Sequence, residues 1–484
     1  MRSKDIIENS HFVGRQYEHS LLQKIARIVR ASIVVIYGRR RIGKTELIEQ
    51  TYRNRNIIKF EGIEGKPEKD QMAYILLQLS EYAQDPLIAK VQCTSWLEVF
   101  QILARYVEKG CWTLYFEEVQ WLANYQDNFV SELKYIWDNN LRHNKELIVI
   151  LCGSSPSFML THVVKSRALY NRSQYEIPLK PFDLQETREF LKKRSHREVL
   201  EAYLTVGGIP EYLNWVNKDS SVFLSLCKHS FTSGSFFLRE YEKIFISNLA
   251  TNKNYKKIVD FLSKKRFATR KELTQHLKTQ SGGTLTSLLQ DLEMCGFIKH
   301  YTPFYLESDS LLARYCIQDV YLQFYFKFIS PIKQEIEHGD YNSNPTSAIK
   351  TDNYYKWLGF AFERFCRDNH RIFAKILGFH AVQYQSGVFF SKKTNEDEPG
   401  YQIDLIFDRA DGVYTICEIK YVQAKVSSKV ITDFERKLAL FPNTKNKTIQ
   451  KVLIASDGAE KGLIDRGYFD QIITLDDIFA VAAN

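Results

Sequence analysis

The first residues that could do chemistry lie in the stretch YGRRRIGKTEL. Glycine, lysine and threonine stand there in the order G-x-x-x-x-G-K-T, directly after an apolar strand and directly before a helical run. The glycines let backbone N–H groups wrap phosphates, Lys44 reaches the β- and γ-phosphates, and the Thr45 hydroxyl joins the shell of Mg²⁺. The spacing therefore predicts a phosphate-binding loop for ATP and Mg²⁺, with these members: Gly38, Arg39, Arg40, Arg41, Ile42, Gly43, Lys44 and Thr45.

A pair of carboxylates, Glu117 and Glu118, ends the apolar part of the stretch TLYFEEVQWL. A phosphate-binding loop needs a carboxylate at the end of a neighbouring strand. We therefore expect Glu117 to bind Mg²⁺ and Glu118 to polarise the attacking water. Aspartate is usual at the first of these positions, and the longer Glu117 is expected to hold the metal more weakly or at a shifted place. This substitution bears on turnover rather than on nucleotide binding.

Two further positions could act on the γ-phosphate. Ser154 and Ser155 follow the apolar stretch LIVILC, where a polar residue can sense that phosphate. A plain Gly-Ser turn is an equally good interpretation. Arg172, in LYNRSQYEIPL, could supply a cation to the transition state, and a surface arginine with no such role is the open alternative.

The stretch YTICEIKY near the C-terminus is the next candidate, because an alternating strand would carry Glu418 and Lys420 on one face. The pattern E-x-K alone arises easily by chance and occurs four times in the chain. The other matches begin at Glu64, Glu132 and Glu435, and they lie beside a proline or in helix-like segments. The Glu418 match therefore stands out as the one inside an apolar strand.

A partner for this pair is Asp404 in YQIDLIF, on the preceding strand. If residues 410–412 form a three-residue loop with Gly412 in the left-handed position, Asp404 falls opposite Glu418, with about 5 Å between the Cβ atoms. Two such carboxylates can share one Mg²⁺, while Lys420 orients or deprotonates a water and stabilises charge on the scissile phosphate. The register thus predicts a metal site, and a half-exposed structural ion pair is the alternative.

The elements that must position these groups follow from the pattern of apolar residues. In residues 1–155 short apolar strands alternate with amphipathic helices, which is typical of a parallel α/β sheet. Helical runs in 156–245 indicate a helical lid. Residues 246–341 show three helices followed by two strands, the order of a winged helix. After a linker at 342–347, a second α/β block occupies 348–484, so the fold class is α/β multidomain.

The segment with winged-helix order gives mixed signals about DNA. Its expected recognition helix, TLTSLLQDLEM, has no Lys or Arg and carries Asp291 and Glu293, which face phosphates poorly. A spacer that couples the lid to the C-terminal block is the favoured interpretation, and the aromatic run at 321–331 is expected to be interdomain core. Basic residues do flank the helix: Lys264, Lys265, Arg266, Arg270, Lys271 and Lys278.

Composition narrows the class of protein. The 484 residues are 44% hydrophobic and 25% charged, enough for several cores and roughly three domains. The eight cysteines include no C-x-x-C pair, which argues against zinc or disulfides. The longest apolar runs fall far short of the roughly 18 residues that span a bilayer, so we expect a cytoplasmic protein with no membrane partner. A net charge of +9 permits a nucleic-acid partner without requiring one.

Six stretches together carry a family resemblance in their order and spacing: FVGRQYEHSLL, GRRRIGKT, FEEVQWL, GSS, PFDLQETREFL and VGGIPEYL. They resemble the archaeal-type ATPases, a STAND-like branch of the AAA+ P-loop proteins found in archaea and bacteria. Such proteins commonly carry a winged helix and a C-terminal domain similar to PD-(D/E)xK nucleases, which have a restriction-endonuclease-like α/β fold. The resemblance therefore spans essentially the whole chain.

The resemblance also implies roles for particular residues. FVGR with Glu18 would form a loop near the adenine, and GGIP at 207–210 would help close the lid over the nucleotide. Glu363 in GFAFERFC stands where the nuclease-like family places a supporting acid. Two positions depart from the family pattern: Glu117 replaces the usual aspartate, and Asn171 replaces the glycine that often precedes the lid arginine.

Together these expectations describe an ATP-regulated, Mg²⁺-dependent nuclease that acts on DNA, and the resemblance adds defence or mobile-element control as its setting. Two other hypotheses stay open. One is a STAND-type nucleotide switch whose C-terminal domain binds nucleic acid or protein without cleaving. The other is an ATP-driven enzyme that remodels DNA or protein. The sequence leaves the oligomeric state open, including a homo-oligomer.

Overall fold

The computed structural model describes residues 8–10, 12–169, 172–249, 252–265, 267–278, 283–301, 304, 314–391 and 400–482. Its N-terminal part contains a parallel sheet of five strands. These are β1 (Ser32–Tyr37), β2 (Asn56–Glu61), β3 (Trp112–Glu117), β4 (Ile148–Gly153) and β5 (Ser173–Pro178), and they lie in the order β2-β3-β4-β1-β5. The helices are α1 (Gln16–Arg27), α2 (Lys44–Tyr52), α3 (Glu68–Ala83), α4 (Trp96–Tyr106), α5 (Val119–Leu122), α6 (Asn128–Asn139) and α7 (Pro156–Phe158).

The sheet forms because its inner strands are short runs of β-branched and other apolar residues. β1 (SIVVIY) and β4 (IVILCG) are buried along nearly their whole length, as expected for parallel strands covered by helices on both faces. Two apolar clusters, one on each face, complete this core. The parallel α/β architecture predicted for this region is confirmed.

The strand β5 corrects the predicted end of the first domain. β5 pairs in parallel with β1, so the sheet continues past residue 155 to Pro178. Its sequence, SQYEIP, is largely polar, and Ile177 is its one buried residue. An edge strand of such low apolar content does not stand out in a search for apolar runs, which is why the helical region was predicted to begin too early.

The lid that follows is helical, as predicted. Its helices begin at side chains that accept hydrogen bonds from free backbone N–H groups. Asp183 and Glu186 form a capping box at the first of them, and Ser195 and Ser221 cap two others. The helices are α8 (Leu184–Phe190), α9 (His196–Val206), α10 (Pro210–Val216), α11 (Val222–Phe231) and α12 (Phe236–Asn248).

A third region combines helices with a small antiparallel sheet in the order β6-β8-β7. Its elements are α13 (Asn254–Ser263), β6 (Ala268–Thr269), α14 (Arg270–Leu277), α15 (Gly283–Met294), β7 (Ile298–Tyr301) and β8 (Arg314–Ile317). The predicted sequence of three helices and two strands is present, with β6 as an additional strand. Arg266 and parts of the two predicted strands, 302–303 and 305–313, lie outside the described residues.

One acidic residue of α15, Asp291, contacts the first domain. Asp291 accepts hydrogen bonds from the hydroxyls of Ser157 and Tyr255, and the carboxylate is buried. This contact joins α15 to the segment that follows β4. The position of Asp291 agrees with the interpretation of this region as a coupling element.

The aromatic run at 321–331 is interdomain core, as predicted. It contains α16 (Val320–Phe324) and a π-helical turn (Tyr325–Ile329), and α17 (Lys333–His338) follows. Tyr321 is fully buried and donates to the carbonyl of Phe237 at 2.6 Å. Within the predicted linker, a short 3-10 helix (Pro345–Ala348) packs against α11.

The C-terminal block is a mixed five-stranded sheet in the order β13-β12-β11-β10-β9. β9, β10 and β11 are antiparallel neighbours, and β11, β12 and β13 are parallel. The elements are α18 (Thr351–Asp368), α19 (His370–Ile376), β9 (Tyr384–Ser391), β10 (Tyr401–Arg409), β11 (Val413–Lys420), α20 (Val430–Leu440), β12 (Thr448–Ala455), α21 (Lys461–Ile464), β13 (Gln471–Ile473) and α22 (Leu475–Ala482). Among the described residues, no helix combines the length and apolar character needed to cross a membrane.

Candidate nucleotide and metal sites

The predicted phosphate loop joins β1 to α2 at the carboxyl end of the sheet. Gly43 takes the left-handed conformation (φ 85°) and starts α2, so the first N–H groups of the helix open towards the loop. The ammonium of Lys44 is buried and donates to the carbonyls of Gly38 (2.9 Å) and Arg39 (3.1 Å). The loop is thus already closed around its lysine, the form that a phosphate-binding loop requires.

Thr45 and Glu117 come together as the Mg²⁺ prediction requires. The Thr45 hydroxyl donates to one Glu117 oxygen, and Nζ of Lys59 lies 2.6 Å from the other. Lys59 also lies 3.2 Å from Glu49. Hydroxyl and carboxylate oxygens are ligands that Mg²⁺ prefers, so this donor set fits the ion. No sequence pattern indicated Lys59, because its position on β2 becomes significant only when β2 pairs with β3.

Glu118 is fixed by the residue that was predicted to sense the γ-phosphate. Its carboxylate accepts hydrogen bonds from the Ser154 amide (2.9 Å), the Ser154 hydroxyl (2.6 Å) and Nε2 of Gln120 (2.7 Å). Ser155, by contrast, is the residue that precedes α7, and its side chain makes no capping hydrogen bond there. Because β4 lies between β1 and β3, Ser154 and Glu118 meet beside the phosphate loop at the same edge of the sheet.

Arg172 lies away from the phosphate loop, at the other edge of the sheet, which favours the alternative of an arginine with no role at the nucleotide. It precedes β5, whose first residue, Ser173, pairs with Ile33 at the amino end of β1. The phosphate loop follows the carboxyl end of β1, at the other edge of the sheet. Arg172 instead makes two hydrogen bonds to Asp138, of 2.8 and 2.9 Å. Asn171, the family departure next to it, lies outside the described residues.

Two arginines of the phosphate loop contact other parts of the chain. Arg39 forms an ion pair with Asp319 at the start of α16, and its guanidinium lies 4.8 Å from the Phe297 ring centroid. Burial opposes the charge of Arg39, but Asp319 outweighs it and raises the arginine pKa. Arg41 lies 2.9 Å from Glu240 of α12. We call the pairs Arg39–Asp319 and Arg41–Glu240 the loop latch.

The FVGR and GGIP segments both lie near the phosphate loop. Arg15 donates to the carbonyl of Ile42 at 2.9 Å, and its own amide donates to Glu186 at 2.7 Å. The amide of Phe182 donates to the carbonyl of Gly208 at 2.7 Å. These contacts join the N-terminal segment and the lid around the loop, while their proximity to the adenine stays a prediction.

The hairpin register in the C-terminal block is as predicted. β10 ends at Arg409, β11 begins at Val413, and Gly412 is left-handed (φ 84°). The ladder pairs Leu405 with Cys417, and the same register places Asp404 opposite Glu418. Both carboxylates are buried, with exposures of 7% and 1%.

Glu418 is held by two lysines. Nζ of Lys420 lies 2.8 Å from one oxygen, and Nζ of Lys437 lies 3.1 and 2.8 Å from the two oxygens. Lys437 comes from α20 and is itself buried. It belongs to the E-x-K match at Glu435, which is helical as predicted. In the sequence, Lys437 stands on the apolar face of a helix-like segment, but no pattern connects it with Glu418.

Asp404 sits beside an irregularity in the sheet. The pairing of β10 with β9 shifts register between Ile403 and Ile406, as at a β-bulge, which re-aims side chains. Oδ2 of Asp404 accepts from the Ile419 amide at 3.2 Å, and Oδ1 accepts from Nε2 of Gln402 at 3.3 Å. Burial raises the pKa of Asp404 to about 6, and the charges of Glu418 and Glu363 add to this shift.

The side chains around Asp404 and Glu418 supply only part of the oxygen ligands that a hard cation such as Mg²⁺ requires. Asp404 and Glu418 offer carboxylate oxygens, which Mg²⁺ prefers. In the part of the chain that the structure describes, no cluster of three or more His, Cys, Asp or Glu could hold a metal ion. Glu363 acts on Asp404 through its charge and lies 3.4 Å from Arg367 of the same helix. A metal at the two carboxylates would therefore be completed by water, carbonyl or substrate oxygens.

The raised pKa of Asp404 gives a prediction about stability. A carboxyl group whose folded pKa exceeds its unfolded value stabilises the fold at low pH, and this contribution is lost as the pH rises through the folded pKa. A shift from 3.8 to about 6 corresponds to about 3 kcal/mol. Asp404→Asn is therefore expected to raise the unfolding midpoint at pH 8 in EDTA and to change it little at pH 4.

Asp408, on the same strand, is the matched control. Burial opposes its ionisation, but hydrogen bonds from Lys447 and Lys445 prevail and lower its pKa. Asp408→Asn should therefore lower the unfolding midpoint at pH 8. Thermal unfolding of both variants at the two pH values makes the comparison, and a midpoint for Asp404→Asn below that of wild type at pH 8 would contradict the buried-charge argument.

The order β2-β3-β4-β1-β5, with a glycine-rich loop after β1 and carboxylates after β3, defines a P-loop nucleotide-binding domain. Residues 12–216 match a protein family described as an ATPase domain predominantly from Archaea. The chain therefore contains an ATPase domain of archaeal type, which implies that it binds nucleotide. The match covers the phosphate loop, both glutamates and the first lid helices.

Other similar proteins give less information about activity. An uncharacterized protein of Methanocaldococcus jannaschii is 29% identical over 360 residues, covering 74% of this chain and 76% of its own length. The Walker-type ATPase of Pyrococcus abyssi is 18% identical and covers 66% of this chain and 97% of its own, with a TM-score of 0.47. The ORC2 protein of Aeropyrum pernix is 13% identical and covers 69% and 98%, with a TM-score of 0.46. The assignment of an ATPase domain rests on the family match.

Proposed function

We propose that the chain is an ATP-regulated, Mg²⁺-dependent nuclease that acts on DNA. The observation that carries the nuclease part is the meeting of Asp404, Glu418 and Lys420 across the β10–β11 hairpin. Glu418 is 1% exposed, whereas the side chain of Lys420, whose ammonium lies beside it, is 38% exposed. Buried acids beside an accessible lysine form an arrangement that a structural core would not require.

Within this proposal each residue has a role. Asp404 and Glu418 would hold Mg²⁺, which would supply Lewis-acid stabilisation of charge on a phosphate. Lys420 orients a water and neutralises charge on the scissile phosphate. Lys437 orients Glu418 by donating to both of its carboxylate oxygens, and Glu363 is the supporting acid. At the other site, Thr45 and Glu117 would hold the Mg²⁺ that accompanies ATP.

The third region is proposed to be a winged helix, and the C-terminal block a restriction-endonuclease-like domain. The order α13-β6-α14-α15-β7-β8 supports the first assignment. The hairpin β10–β11 followed by α20 and the parallel strand β12 supports the second. Proposed boundaries are 246–341 and 348–484, with DNA as the partner and further copies of the chain as a second partner class.

Two sets of contacts between distant segments support regulation by ATP. The loop latch connects the phosphate loop to α12 and α16, so phosphates that draw Arg39 or Arg41 away would release those helices. Helix α9 of the lid reaches the C-terminal site directly. Tyr421, next to Lys420, donates to Glu201 at 2.9 Å, and its ring lies 5.2 Å from the Arg197 guanidinium.

A cleavage assay tests the nuclease proposal. Purified full-length protein is incubated with supercoiled plasmid and with linear single- and double-stranded DNA, in Mg²⁺ or Mn²⁺, with and without ATP. Nicking that depends on the metal and changes with ATP supports the proposal. Absence of cleavage of every DNA substrate in both metals and both nucleotide states contradicts it.

Breaking the loop latch gives a further prediction. Asp319→Asn removes the ion-pair partner of the buried Arg39 guanidinium, a loss of about 3 kcal/mol or more. We expect α16 to separate from the phosphate loop, so that amide hydrogen exchange in α16 becomes roughly a hundredfold faster in the absence of nucleotide.

Glu211→Gln is the control for this experiment. Glu211 lies 3.9 Å from Arg41 and is much more exposed than Asp319, so its neutralisation should leave exchange in α16 near the wild-type rate. Mass spectrometry of proteolytic fragments measures both variants. Equal exchange in Asp319→Asn and wild type would show that the latch does not hold α16.

A nucleotide switch that binds DNA without cutting it is the second candidate function. Two observations favour it. Lysines contact both Glu418 oxygens. Among the described residues, no group of three or more His, Cys, Asp or Glu could hold a metal ion. In this case ATP would still change DNA binding through α9. DNA binding that responds to ATP, together with the absence of any cleavage, distinguishes it from the nuclease.

A further inference from the structure

A group of charged residues lies where α18 meets the small sheet of the third region. Lys299 of β7 forms an ion pair with Asp368, the last residue of α18. The half-buried thiol of Cys316 on β8 lies in the field of these charges and of the two arginines of α18. We call this group the junction cluster, and its members are Lys299, Arg364, Arg367 and Asp368.

The junction cluster is continuous with the candidate nuclease site. Arg367 donates to the backbone carbonyl of Asp404 at 3.5 Å and to Glu363 at 3.4 Å. Arg364 lies one turn earlier on the same helix and is partly buried. The charge of Arg367 acts on Arg364 and opposes it. A ligand that runs from Asp404 along α18 would therefore meet both guanidinium groups.

The charges within the junction cluster are not balanced. Lys299 has Asp368 as its partner, and Arg367 has Glu363. Arg364 forms no hydrogen bond or ion pair with any residue that the structure describes, and burial is the main cause of a pKa lowered to about 10. The charges of Asp368 and Glu363 act on Arg364 only at a distance. A partly buried guanidinium with no hydrogen-bond partner among the described residues keeps its N–H donors open to an anion from outside the chain.

We propose that Arg364 binds a backbone phosphate of the DNA strand held at the Asp404–Glu418 site. The proposal rests on the proposed function for its ligand, because a strand with its scissile phosphate at that site must extend along a neighbouring surface. α18 is such a surface, and Arg364 is a partly buried cation on it that forms no ion pair with a described residue. Guanidinium groups suit phosphate because they offer a planar set of N–H donors.

DNA binding without cleavage tests the role of Arg364. Full-length Arg364→Met and wild type are titrated with a fluorescent DNA duplex in EDTA over a range of salt concentrations, and fluorescence anisotropy gives Kd. We expect Kd to rise about tenfold and the slope of log K against log salt to fall by about 0.9, the value for one phosphate. The unfolding midpoint should rise, because the variant removes a partly buried charge whose burial costs outweigh the attraction of Asp368 and Glu363.

Two further variants make the result specific. Arg364→Lys keeps the charge and should recover much of the affinity. Lys375→Met removes an exposed cation from α19 and should change Kd far less. A lower unfolding midpoint with unchanged Kd in Arg364→Met would make the arginine structural, and absence of DNA binding by wild type in EDTA would also overturn the proposal. Binding that depends on Arg364 without cleavage in Mg²⁺ would instead contradict only the nuclease function.

Discussion

Glu118→Gln is expected to slow ATP hydrolysis by roughly a hundredfold or more while ATP binding is retained. General-base or water-orienting carboxylates contribute about 10²- to 10⁴-fold to rate, and glutamine keeps the shape of the side chain without its charge. Glu118 accepts hydrogen bonds from the Ser154 amide and hydroxyl, so the geometry that holds it is already in place. Release of phosphate from ATP measures the rate, and equilibrium titration with a fluorescent ATP analogue measures binding.

The matched control is Glu64→Gln, an exposed glutamate that follows β2. It should hydrolyse ATP at the wild-type rate. A hydrolysis rate in Glu118→Gln within a fewfold of wild type would remove Glu118 from the catalytic role. DNA-stimulated hydrolysis that disappears in Glu118→Gln, without any DNA cleavage by wild type, would favour the remodelling ATPase.

Local patterns in the sequence predicted the parts of both sites that lie close together along the chain. The phosphate loop follows from glycine spacing between an apolar strand and a helix. The pairing of Asp404 with Glu418 follows from the length of the turn and the left-handed Gly412, because a hairpin loop fixes the register of its strands. These features need no knowledge of how distant segments pack.

Contacts between distant segments could not be predicted in the same way. Arg39 and Asp319 are 280 positions apart, and Lys437 reaches Glu418 from a helix on the face of the sheet. The polar edge strand β5 was missed, and this error also misplaced Arg172, since the edge of the sheet on which it lies depends on β5 pairing with β1. Tertiary packing, which sets such contacts, leaves little periodic signal in the sequence.

The arrangement of charges around Glu418 makes Lys420 a sharp test of the nuclease. Lys420→Ala is expected to reduce plasmid cleavage by about a hundredfold or more, because it removes the cation proposed to neutralise charge in the transition state. Removing one partner of a buried carboxylate usually destabilises a protein strongly. Here both Glu418 oxygens remain within 3.1 Å of Lys437, so the variant should stay folded.

Comparison with two other lysines separates chemistry from stability. Lys425→Ala changes an exposed residue five positions further on and should cleave like wild type. Lys437→Ala removes the buried partner of Glu418 and should lower both the unfolding midpoint and cleavage. Lys420→Ala is expected to lose cleavage while its unfolding midpoint stays unchanged. Plasmid nicking and thermal unfolding of the three variants therefore distinguish a loss of chemistry from a loss of stability. Wild-type cleavage by Lys420→Ala would assign the nicking to another site or to a contaminant, and the pairing of Asp404 with Glu418 would then be structural.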